Sequence, residues 1–234
     1  MNKITTTVLG ISILAGALGT AQAYDAPPSW MPMTMTPISL DTGTNQLSIK
    51  SQTESGAPAQ VPLIQGGSYD PAAAWGALNG TYYSRRLGWY DSVNGNFYAT
   101  YPLPTGNYVY IEQTGETANG VNVALGSIIK TYFVAMMQNP TGPYTEIFGD
   151  NGAWRWDGFM DHNTNAIATS DITVPNEVFT ASYRLYIGDA NGIENPAYGA
   201  TTTTWTWVGP ATIPEPASLS LLGLAAVAGL RRRR

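Results

Sequence analysis

The chain has 234 residues, of which 25 are glycine, 16 proline, 44% hydrophobic, 11% aromatic and only 12% charged, with a formal net charge of −5. That composition builds an apolar core joined by many turns and excludes a disordered polyelectrolyte. With no cysteine and one histidine, the chain lacks disulfides, a thiol nucleophile, a Cys-ligated metal site and a multi-histidine metal centre.

At the amino terminus, Lys3 precedes an apolar stretch over residues 8–18 that only Gly and Ser interrupt, and Ala21-Gln22-Ala23 follows. A basic start, a short apolar segment and small side chains at Ala21 and Ala23 predict a signal peptide over residues 1–23, cut by signal peptidase after Ala23. The stretch is too short to span a bilayer. Residues 24–32 carry Pro27, Pro28 and Pro32 and read as an extended linker. The folded domain is expected over residues 33–208, with a second linker at 209–213.

Within the domain, a turn at 41–44 leads into a strand at 46–50. Asp70 as N-cap and Pro71 at the first helical position predict a short helix over 71–77. Residues 82–91 and 97–101 are expected to pair as a hairpin across 92–96, where Asn94-Gly95 supplies the positive φ of a tight turn. Neighbouring Arg85 and Arg86 would then point to opposite faces, the inward one toward a carboxylate such as Asp91 or Asp157. Further strands are expected at 108–113, 121–125, 130–137, 144–148, 154–160, 179–187 and 201–208. No segment keeps helical periodicity for three turns and no repeat recurs, so the expected class is all-β: a β-sandwich or jelly-roll-like domain of about ten strands.

The densest polar cluster comprises Asp150, Asn151, Asp157, Asp161, His162, Asn163 and Asn165. Carboxylates spaced like Asp150, Asp157 and Asp161 can supply hard oxygens to calcium, and residues 189–194 resemble part of a calcium loop. Neither has a full ligand ladder, and Asp, Asn and Gly are also what β-turns require for their own geometry. Trp154 and Trp156, like Trp205 and Trp207, sit two residues apart and face one side of a strand. Exposed, Trp154 and Trp156 would form a platform for sugar rings; buried, they are core. Threonines 201–204 and 206 suit a flat hydroxyl array on ice, or ordinary strand propensity. His162 stands without a Gly-x-Ser-x-Gly elbow, so no catalytic residue is assigned. A glycosidase needs only two carboxylates at a set separation and stays open as an alternative.

The last residues run Pro214-Glu215-Pro216, then 217–230 without a charge, then Arg231, Arg232, Arg233 and Arg234. Fourteen helical residues rise about 21 Å against a hydrocarbon core of roughly 30 Å, which suits a short hydrophobic helix and a temporary inner-membrane anchor with the arginines held inside. This tripartite tail resembles the PEP-CTERM sorting signal of Gram-negative envelope and matrix proteins, with Ile213 where family members usually carry Val. The resemblance implies that an exosortase recognises and removes residues 214–234 and passes the protein to the cell surface or extracellular polymer. Residues 87–89, 147–149, 156–158 and 186–192 also resemble stretches of surface proteins that share the tail and have no assigned activity.

Removing both ends takes away Lys3, four arginines and Glu215, leaving six basic against fifteen acidic residues and a mature charge of −9. Such a surface repels phosphate backbones and excludes nucleic acid as a partner. The expected protein is exported, surface-sorted and noncatalytic, with adhesion or association with extracellular polysaccharide as its role and no cofactor unless calcium binds. A polysaccharide-acting hydrolase and a purely structural coat protein are the alternatives.

Overall fold

A computed structural model of the chain describes residues 34–49, 60–133, 144–148 and 152–213. These residues form fifteen strands in three sheets. The first sheet contains β1 (Thr34–Asp41), β2 (Gln46–Ile49), β6 (Leu87–Asp91) and β12 (Asp161–His162), in the order β12-β6-β1-β2. The second contains β4 (Ile64–Gln65), β5 (Thr81–Ser84), β9 (Ile129–Phe133), β10 (Thr145–Glu146) and β13 (Thr164–Ala168), in the order β10-β9-β13-β5-β4. The third runs β11 (Ala153–Arg155), β7 (Tyr108–Ala118), β14 (Val178–Gly188), β15 (Thr201–Val208) and β3 (Gln60–Pro62), with β8 (Val121–Asn122) added to β7. The all-β sandwich class expected from the turn spacing is the class observed.

Period-two alternation explains the packing. On β14 the side chains of Phe179, Ala181, Tyr183, Leu185 and Ile187 are buried while those between them up to Arg184 are half-exposed, as one strand face turned to a core requires. Val109 and Ile111 on β7 and Trp205 and Trp207 on β15 join them. Trp89 from β6 meets this layer, stacked on Trp205 with ring centroids 4.4 Å apart and edge-on to Tyr183 at 5.6 Å. The Trp205 indole donates to the Thr36 hydroxyl at 2.9 Å. Each such fully buried aromatic stabilises the fold by roughly 1.5–3 kcal/mol.

Several boundaries differ from the sequence-based expectation. The segment 82–91 is two strands in different sheets: β5 ends at Ser84, β6 begins at Leu87, and Arg85-Arg86 form the crossing. Arg85 is buried there, with Tyr83, Tyr144 and His162 within its electrostatic reach, while Asp91 accepts from the Asn94 N–H and the Thr100 hydroxyl. Residues 97–101 do not return as a hairpin strand. Phe97–Thr100 is one helical turn, α1, because the Asn96 side chain accepts from the Ala99 N–H and Phe97 is buried beneath it. The helix expected at 71–77 is instead a 3-10 turn over Ala74–Leu78, preceded by Asp70 accepting from the Ala72 N–H. Strand pairing over 154–160 ends at Arg155, where the chain bends around Gly158 at φ +86°. Ala21, Ala23, Asp150, Asn151 and residues 214–234 lie outside the described residues.

Candidate functional site

Trp154 on β11 and Trp156 just beyond its end both pack on the core. Trp154 lies opposite Ile111, half-buried against Phe133 with ring centroids 5.6 Å apart. Trp156 is fully buried beside Phe97 at 5.5 Å, and its indole donates to the Phe159 carbonyl at 2.8 Å. Burial of one ring and half of the other leaves no flat exposed pair for a sugar. Trp205 and Trp207 are fully buried.

The polar cluster that follows divides into exposed turn residues and buried ones. Asp157 is exposed, and its Oδ1 accepts from the Phe159 N–H at 2.8 Å. Asp161 is 7% exposed on β12, opposite Trp89. Burial, with the Asp157 carboxylate beside it, pushes the Asp161 carboxyl up to about 8. His162 points to the opposite side of the strand, where burial and the Arg85 guanidinium hold its imidazole below the ordinary value. Asn163, Thr164 and Asn165 are fully or almost fully buried, and Asn165 accepts from the Thr131 hydroxyl at 3.0 Å. In the second loop, Asp189 Oδ1 accepts from the N–H groups of Asn191 and Ile193, so that carboxylate folds its own turn. Among the described residues no three His, Cys, Asp or Glu side chains gather at metal-binding distances.

A feature that motif reading missed lies at the end of β7. Residues Tyr98, Pro102, Leu103, Pro104, Thr105, Gly106, Asn107 and Tyr108 line an open cleft of about 320 Å³. Tyr98 is fixed in it by two hydrogen bonds, donating to the Trp156 carbonyl at 2.9 Å and accepting from the Val109 N–H at 3.0 Å. Burial raises its phenol to about 12. The φ of Gly158 and the lack of a side chain there admit the Tyr98 ring, whose nearest atom would lie 2.5 Å from an added Cβ. On the second wall, the exposed Arg155 guanidinium lies 4.6 Å from the centroid of the Tyr108 ring. At the rim, Asn107 accepts from the Asn195 amide at 2.9 Å. The signal that could have found the cleft is Pro102-Leu103-Pro104 between Tyr98, Tyr101 and Tyr108: prolines that stop pairing, with aromatics on both flanks.

The tail of the chain matches a known family model. The PEP-CTERM protein-sorting motif covers residues 212–234, and no curated protein matches the chain. Among the described residues no helix is long and apolar enough to cross a membrane; the apolar run 217–230 lies outside them. The motif ends in the arginine cluster and contains the Pro-Glu-Pro triplet, so the chain carries a PEP-CTERM protein-sorting motif at residues 212–234, which implies exosortase-dependent export to the cell surface.

Proposed function

We propose that the β domain is a noncatalytic module that associates with carbohydrate of the envelope or extracellular matrix, reached after signal peptidase cleaves behind Ala23 and residues 217–230 anchor the chain transiently in the inner membrane. The observation that carries this reading is the open cleft between Tyr98 and Tyr108. Two tyrosine rings, Leu103 and two prolines offer apolar faces to the C–H faces of a sugar. Asn107, Thr105 and the backbone of an irregular loop offer hydrogen bonds at its edge. Tyr98 is held by both of its hydrogen bonds, so little side-chain freedom is lost when a ligand docks. Association is favoured over hydrolysis because that lining is rings, prolines and amide, whereas hydrolysis needs two carboxylates on either side of the scissile bond.

The test is a glycan-array and polysaccharide pull-down screen on the secreted, processed protein, repeated with Tyr108→Ala. A stacking aromatic contributes about 0.5–1.5 kcal/mol. Retention by the preferred polymer should therefore weaken roughly two- to tenfold in the variant. Retention that is absent from the wild type, or equal in the two proteins, would overturn the assignment and leave a structural surface protein.

A further inference from the structure

We propose that Arg155 makes the cleft between Tyr98 and Tyr108 selective for acidic polysaccharide, its guanidinium taking the carboxylate of a uronic acid whose ring lies on Tyr108, a selectivity that rests on the carbohydrate reading of that cleft. β11 sets Arg155 opposite Tyr110 on β7, so Tyr108 is its diagonal neighbour on the same sheet face, within reach of a long side chain. The guanidinium accordingly stands 4.6 Å from the centroid of the Tyr108 ring, and Tyr108 lines the cleft. Tyr98 is tied to the same two strands. Its hydroxyl donates to the Trp156 carbonyl and accepts from the Val109 N–H, so one bond goes to the residue after Arg155 and the other to the residue after Tyr108. Backbone pairing thus fixes the cation and both rings in one place.

The residues lining the cleft carry no charge, and Arg155 supplies one at its edge. Among the described residues no carboxylate forms an ion pair with it. Its other diagonal neighbour, Glu112, faces Arg184. Asp157 Oδ1 is turned to the Phe159 N–H, and at the Tyr98 hydroxyl the Arg155 cation outweighs the Asp157 carboxylate. A guanidinium can lie against an aromatic ring and still direct a fork of N–H donors at a planar carboxylate. A uronic acid brings the complementary pair: a C–H face for tyrosine and a carboxylate at the edge of the same ring. A neutral sugar would leave the cation unused. One guanidinium serves one uronate, whereas a nucleic acid needs a broad basic face. The net charge of −5 repels a polyanion from the rest of the surface, which confines engagement to this edge.

The experiment measures retention of the secreted, processed protein on polygalacturonate, alginate and hyaluronate, each beside its methyl ester, which keeps ring and linkage and removes the charge. The protein should be held more strongly by at least one acid form than by its ester, and added salt should weaken the acid form alone. Arg155→Gln should weaken retention on that acid roughly two- to fivefold, the range of an exposed ion pair, and leave the ester unchanged. Arg155→Lys keeps the charge without the fork and should fall between. Arg155 is exposed on the edge strand β11, so both variants should fold, and the comparison of acid with ester tests the unmutated protein without them. Equal retention on acid and ester, or acid retention that Arg155→Gln leaves unchanged, would overturn the selectivity; the carbohydrate reading of the cleft survives either result if Tyr108→Ala still weakens both forms. Retention on no polymer, charged or neutral, would overturn the two together.

Discussion

Single residues decide how closely neighbouring strands approach. Gly88 sits where β12 crosses β6, and a Cβ added there would fall 2.0 Å from the Asp161 carbonyl oxygen and 3.0 Å from Met35. The first neighbour is backbone in a paired strand, so it cannot swing aside as a flexible side chain does. Gly88→Ala must push β12 away from β6, and the expected cost is about 2–4 kcal/mol. Gly95 provides the contrast: at φ +81° with open space around it, Gly95→Ala meets only the left-handed conformational penalty of about 1–2 kcal/mol. Urea unfolding of the two variants separates the mechanisms. Equal losses would show that β12 yields freely. The same scale explains why the acidic residues were hard to assign from sequence. Asp157 and Asp189 each accept an N–H two residues ahead, as turn residues do, and nothing in the local pattern distinguishes Asp161, four residues later, as the buried one.

At the scale of elements, strand existence was largely legible and strand boundaries were not. The long strands β7, β14 and β15 announce themselves through alternating aromatic and β-branched residues. Strand β1 was missed because it contains Pro37, which breaks a central strand by lacking an N–H. Its antiparallel pairing with β2 begins only at Ile38, so Pro37 lies beyond that register. The turn at Phe97–Thr100 was misread because Phe97 and Tyr98 carry strand propensity, and one N-cap plus one buried ring outweighed it. Glu116 shows what no local pattern can reveal. Its buried carboxylate accepts from the N–H groups of Gly126, Ile128 and Ile129 at 2.7, 2.8 and 2.7 Å, and from the Gln113 amide at 3.0 Å. One side chain on β7 thereby pins the segment entering β9, at a sequence distance of ten to thirteen residues. Glu116→Ala strips buried donors of their partner and should cost roughly 3–5 kcal/mol. The amides of Ile128 and Ile129 should lose hydrogen-exchange protection before those of β14. Uniform loss across both sheets would argue against a local clamp.

For the whole molecule, the composition that makes the core aromatic also sets its alkaline limit. The chain has 14 tyrosines, and several do structural work inside it. Burial raises the phenols of Tyr83, Tyr132, Tyr144 and Tyr183 above the ordinary range and brings Tyr98 to about 12. Around Tyr98, the Arg155 guanidinium opposes that rise while Asp157 and Tyr110 add to it. A folded-state pKa above the unfolded value near 10 means the unfolded chain gives up its protons first. Stability from these groups is therefore complete below about pH 10 and falls as pH climbs from 10 toward 12. The chain's net charge of −5 adds self-repulsion that rises as each phenol ionises. Tyrosinate absorbance should appear in two stages: a gradual one from exposed phenols, then a cooperative one that coincides with loss of the tryptophan near-ultraviolet signal from the Trp89–Trp205 stack. In Tyr98→Phe the fall in stability between pH 10 and 12 should be shallower by one proton, on a protein already weakened by losing two hydrogen bonds to the Trp156 carbonyl and the Val109 N–H. Buried phenols that ionise gradually while the tryptophan signal persists would mean that the core admits hydroxide without unfolding, and that the packing around Tyr98 and Tyr183 is looser than their burial implies.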